Sequence, residues 1–219
     1  MPSARPRRVS RGVVSVGRSG RYGVAVTAFG VAYAVLHHLG LLPGGLGEAV
    51  DGSRWADWID LLVPYRVIGP ALWVGVAAPL SRAWWPVLAV GAIAYASGHG
   101  IHLAANSVAN VAPGPTAYLW DEVVGHAIWY AGFALMAAAV ASTFVGRPRP
   151  PWWGHLIALG VGVTWATNAL GAVGWVWPAA LVAVAACVVG WRTRRGLGVV
   201  LLSAGGSSLL TLAVAAVAT

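Results

Sequence analysis

Residues 84–109 read WWPVLAVGAIAYASGHGIHLAANSVA, 26 positions without an acid, a lysine or an arginine. Crossing the hydrocarbon core of a bilayer takes roughly 20 apolar residues at about 1.5 Å rise each. The stretch is therefore long enough to span a membrane as one helix. Working outward from it, six more apolar runs of similar length follow the same rule, at 22–42, 61–80, 118–145, 152–170, 172–190 and 197–218. Between them lie short links rich in helix-breaking and turn-forming residues, such as Pro113-Gly114-Pro115 and the run from Gly146 to Pro151. The expected fold class is an all-α integral membrane protein, a seven-transmembrane-helix bundle.

Composition agrees. The chain of 219 residues is 58% hydrophobic and 9% charged, and its mean hydropathy is +0.73. A soluble domain carries roughly 25% charged residues, so this surface could not be covered in water. The formal net charge of +8 comes from 14 arginines, no lysine and 6 acids. Twelve of those arginines lie before residue 22 or in the links at 81–83, 146–151 and 191–196, which fall on one side of a seven-span chain. Short cytoplasmic loops collect Arg and Lys, so the sequence predicts a cytoplasmic N-terminus, a C-terminus outside and a multi-pass protein of the cell membrane. The basic charge then records threading and implies no nucleic-acid partner. The lone Cys187 leaves no disulfide framework and no multi-thiolate metal site.

Residues 1–21 read as an Arg-rich cytoplasmic tail and 22–219 as a single membrane domain. Within it, 48–60 alternates acids with Trp55, Trp58 and Ile59, the pattern of an outer interfacial segment whose Asp51, Asp57 and Asp60 face water.

An ionisable group inside a span is costly near the bilayer centre and persists when it faces the bundle with a partner. Tyr95, His99, His102, Asn106 and Asn110 recur at spacings of 4, 3, 4 and 4, one face of a 3.6-residue helix. After the Pro-Gly-Pro turn the chain returns with Asp121, Glu122 and His126. Glu122, His126, Trp129 and Phe133 share a face, and Asp121 points about 100° away by helix geometry. A short turn makes the two segments antiparallel neighbours, so the stripes can meet at one depth. His37 and His38 close the outer end of 22–42 and read as interfacial. Arg66 lies about one turn inside its segment, in reach of Asp60, Asp121 or Glu122. Thr164 and Asn168 share a face of theirs.

Three imidazoles and a carboxylate form a metal-ligand inventory suited to Zn or Fe. The candidate ligands are His99, His102, His126 and Glu122. Glu122 doubles as a general base, Asp121 orients a ligand or shuttles a proton, and Asn106 hydrogen-bonds substrate or a ligand. Tyr95, Arg66, Trp129 and Asn168 are candidate substrate-binding residues. The expected activity is a membrane-embedded, metal-dependent enzyme acting on a lipid-like or isoprenoid molecule drawn from the lipid bilayer. Two other readings fit the same residues. A metal-independent terpene cyclase would use Asp121 or Glu122 as proton donor. A metal or haem carrier would use the histidines as a reversible site. The polar groups can also simply hydrogen-bond to one another and pin the two helices together.

Ser97-Gly98-His99 resembles the central element of membrane lipid phosphatases of the phosphatidic-acid type. Seven spans with His, Asp and Ser resemble the seven-helix zinc hydrolases related to adiponectin receptors and alkaline ceramidases. The flanking motifs of the first group and the last-helix His-x-x-x-His of the second do not occur in this sequence, so neither resemblance carries a function over.

Overall fold

The structure, a computed structural model, describes residues 12–39, 42–48, 54–172 and 174–218, with side chains from residue 20 onward except at 43, 45 and 111. The described residues form seven long helices. They are α1 (Gly12–Leu36), α2 (Trp55–Ala77), α3 (Trp84–Val111), α4 (Pro115–Ser142), α5 (Trp152–Gly171), α6 (Val176–Thr193) and α7 (Gly196–Ala218). Five of them, α2, α3, α4, α6 and α7, are long and apolar enough to cross a membrane. The sole β-contact among the described residues is the isolated bridge between Glu48 and Arg54.

The helices sit close to the predicted runs, with two differences. The first helix begins at Gly12, inside the stretch read as a tail. The predicted interfacial segment resolves into the Glu48–Arg54 bridge and the first turns of α2, while 49–53 lie outside the described residues.

The chain runs up and down. Side chains from the ends of α1, α3 and α5 and the starts of α2 and α4 meet at one end of the bundle, here called the histidine end. At the other end Tyr22 near the start of α1 meets Thr143 just beyond α4. The pair α3–α4 is the most intimate. A Cβ at Gly91 would come 2.7 Å from the Met136 nitrogen, and one at Gly125 would come 2.9 Å from the His102 nitrogen. Gly98 faces the backbone of Trp129, and Gly132 faces that of Tyr95. Each helix thus contributes two glycines seven residues apart, so the backbones touch along a seam about two turns long. Every side chain on the flanks of that seam is held at a fixed depth against the partner helix.

Behind the seam, Val63, Val67, Ala71 and Val74 form the buried stripe of α2. Tyr33 of α1 stacks on Phe133 of α4, with ring centroids 3.5 Å apart. These contacts close an aromatic floor beneath the histidine end.

Candidate metal centre

Three local features of the backbone shape the polar cluster. The first is Pro64 in α2. Proline has no N–H, so the carbonyl four residues back, that of Asp60, has no helical donor. His99 Nε2 takes that place at 3.0 Å. The carbonyl only accepts, so Nε2 carries the imidazole proton and Nδ1 keeps its lone pair. The Asp60 carboxylate stands beside the same nitrogen, with Oδ1 at 3.4 Å. His99 is 1% exposed, and its Nδ1 meets no hydrogen-bonding group.

The second feature is a π-helical stretch over Leu119–Gly125 in α4. Such wide turns concentrate at functional sites. Here the wide turn lets the His126 ring reach back five residues, and its Nδ1 donates to the Asp121 carbonyl at 2.9 Å. The Nε2 lone pair is thereby left free to bind an ion. Holding a ligand imidazole by its other ring nitrogen is the usual way a metal site fixes tautomer and orientation. The same turn sets where Asp121 points. Asp121 does not point away from the site: it is 7% exposed, and its Oδ1 lies 2.5 Å from His102 Nδ1. Glu122 stands further off, with Oε2 3.9 Å from His126 Nδ1.

The third feature is the glycine seam. It brings the His102 and His126 rings to a centroid separation of 4.5 Å from opposite helices. One ligand atom each from His102, Asp121 and His126 lies within 4.8 Å of the others, so this group could hold a metal ion. His102 Nδ1, Asp121 Oδ1 and Glu122 Oε2 are all buried without a hydrogen-bonding partner, despite the proximity of the first two. Trp129 forms the floor. It stacks on His102 at 5.6 Å and meets His99 edge-on at 4.9 Å.

The remaining candidates distribute as follows. Tyr95 is fully buried, and its hydroxyl pairs with His37 Nε2 at 2.5 Å. His37 reaches inward, and its ring packs on Trp129 at 5.2 Å. His38 likewise reaches inward, to Thr164 Oγ1 at 3.0 Å. Asn168 presents its backbone carbonyl to the Tyr130 hydroxyl at 2.7 Å, and its side-chain nitrogen is buried without a partner. Asn106 is half-buried one turn beyond His102. Arg66 is exposed and makes no ion pair among the described residues, because Asp60, Asp121 and Glu122 face histidines instead. Asp60 is the residue that sequence reasoning missed. Its signal was the proline four positions on.

The described fold is a bundle with membrane-capable helices that brings a His/Asp/His group together at one end. No protein-family model, curated protein or solved structure matches the chain.

Proposed function

We propose that the chain is a membrane-embedded metalloenzyme that binds one divalent ion, Zn or Fe, through His102, Asp121 and His126. The observation that carries this reading is the convergence of His102, Asp121 and His126, one ligand atom of each lying within 4.8 Å of the others, where His102 Nδ1 and Asp121 Oδ1 are buried without a hydrogen bond. An unsatisfied buried donor or acceptor costs about 1–3 kcal/mol, and an ion in their midst removes that cost for several groups at once. Three protein ligands with an open position are the pattern of catalytic rather than structural zinc sites, and two imidazoles with a carboxylate also suit non-haem iron.

Glu122 lies beside the trio, its Oε2 3.9 Å from His126 Nδ1, and would act as general base toward a water that a bound ion activates. That favours hydrolysis of a lipid-like or isoprenoid substrate. Tyr118 and Trp120, which flank the acids and face outward, give such a substrate an apolar approach from the bilayer. The terpene-cyclase reading is less well supported. Trp120 points away from Asp121's buried carboxyl, and both large cavities lie at the other end of the bundle. A haem held between His102 and His126 does not fit, because rings 4.5 Å apart leave no room for a porphyrin plane.

In this proposal seven helices span the cell membrane with the N-terminus cytoplasmic, supported by the arginine bias of the links, and the histidine end faces outside. Elemental analysis of detergent-purified protein tests the centre. About one ion per chain is expected in wild type, with loss in His102→Ala and His126→Ala. Equal content in all three would remove the proposal. Reporter fusions at the two termini test the orientation.

A further inference from the structure

The end of the bundle opposite the histidines carries a site of different chemistry. Two cavities open there, of about 720 and 460 Å³, each within the roughly 300–1,000 Å³ range of small-molecule sites. The larger lies between α4, α5, α6 and α7 beside the α2–α3 link, and the smaller between α1, α4, α5 and α7. Ala137, Ala141, Val161, Leu201 and Ala204 line both, so the two are arms on either side of one wall. Their interiors are apolar, with Phe29, Val140, Phe144 and Ile157 in the smaller arm.

The rim is cationic. Arg147 and Arg149 border the smaller arm. Arg147 is braced there: its Nε donates to the Thr143 carbonyl at 2.8 Å, and its guanidinium lies 3.6 Å above the Tyr22 ring. The Tyr22 hydroxyl in turn shares a hydrogen bond with Thr143 Oγ1 at 3.0 Å. Among the described residues no carboxylate pairs with Arg147 or Arg149, and the one arginine ion pair is Arg54–Asp57. The described acids, Glu48, Asp57, Asp60, Asp121 and Glu122, belong to the opposite end. A braced guanidinium with free terminal nitrogens is a phosphate site in search of its anion.

We infer that this hollow binds an anionic diacyl phospholipid of the bilayer, with its phosphate on Arg147 and Arg149 and one acyl chain in each arm. Two apolar arms that share a wall, one of them bordered by two arginines, match two chains joined at one anionic head. A single-chain amphiphile would fill one arm only, and a zwitterionic head would set its own cation against the arginines. The inference does not depend on the metal centre.

Native mass spectrometry of the full chain, offered equimolar phosphatidylglycerol and phosphatidylcholine of matched chain length, tests it. Wild type is expected to retain one phosphatidylglycerol with at least a tenfold preference. Lysophosphatidylglycerol should compete at least tenfold less well than the diacyl lipid. The double variant Arg147→Gln/Arg149→Gln should bring the preference to about parity. Because Arg147 also braces Tyr22, Arg149→Gln alone serves as the arm that leaves packing intact, and at least a threefold fall in preference is expected there. Equal retention of the two lipids by wild type would overturn the inference. So would equal competition by the single-chain lipid, or an unchanged preference in either arginine variant.

Discussion

His102 Nδ1 and Asp121 Oδ1 stand 2.5 Å apart across the α3–α4 interface, and neither has a hydrogen-bonding partner, each other included. In the proposed centre both atoms bind the same ion. Ligands on a tetrahedral zinc, each about 2.0–2.2 Å from the ion, sit roughly 3.3 Å apart, so loading opens this pair by less than about 1 Å. Asp121→Asn keeps the shape and removes the charge. It should lower bound metal at least tenfold. Saturating metal at 100 times its Kd should stabilise wild type by about 2.7 kcal/mol and should leave the variant unchanged in the same unfolding titration. Acidification should weaken binding as well, since imidazole and carboxylate ligands must shed protons to coordinate.

His99 and His102 are one turn apart on α3 but serve different partners. His99 gives Nε2 to Asp60, and its ring centroid lies 6.3 Å from that of His102. His99→Ala should therefore retain metal to within about threefold, while His102→Ala loses it. A loss of about 10–100-fold from His99→Ala would instead make His99 an outer-shell partner of the centre. Metal titration of the two variants side by side decides the point.

How much of this was legible in the sequence depends on how local the cause is. Apolar run length is local, and each predicted run overlaps one helix, although α1 begins ten residues and α2 six residues before its run. The stripe of Tyr95, His99 and His102 follows from helical period alone, and the structure buries Tyr95 and His99 on that face. The contact of Asp121 with His102 was not legible, because it depends on a π-helical turn where helical period alone implies a regular helix. Asp60 looked like a solvated acid because the carbonyl freed by Pro64 matters only once α3 lies alongside. His37 looked interfacial because nothing in its own neighbourhood announces Tyr95, 58 residues on.

That Tyr95–His37 pair is open to a stability test. Both groups sit inside the aromatic cluster, and Tyr95 is 0% exposed. Tyr95→Phe removes the hydroxyl and leaves His37 Nε2 without its partner, which should cost about 1–3 kcal/mol. Unfolding in graded denaturing detergent measures it, and metal content should hardly change, because neither group belongs to the trio. A variant as stable as wild type would show that the pair contributes nothing net.

The glycine seam makes the sharpest demand, because it links packing to the centre without touching a ligand. At Gly98 a Cβ would run into the backbone of Trp129, and no rotamer can relieve a clash with main-chain atoms. The helices must part or slide, and overpacking of this kind costs typically 1–3 kcal/mol. Gly98 lies between Tyr95 and His102, so any parting is delivered directly to the 2.5 Å approach of His102 to Asp121. Gly98→Ala should thus lose metal at least tenfold with all three ligands intact, and should lower stability as well. Gly100→Ala is the matched control. It lies on the same helix two residues on, and nothing stands within 4 Å of its added Cβ. Replacing a helical glycine by alanine there gains up to about 1 kcal/mol, so this variant should bind metal as wild type does. Metal loss in both would mean that α3 tolerates no change at all, and metal retention in both would mean that the seam does not set the distance between the ligands.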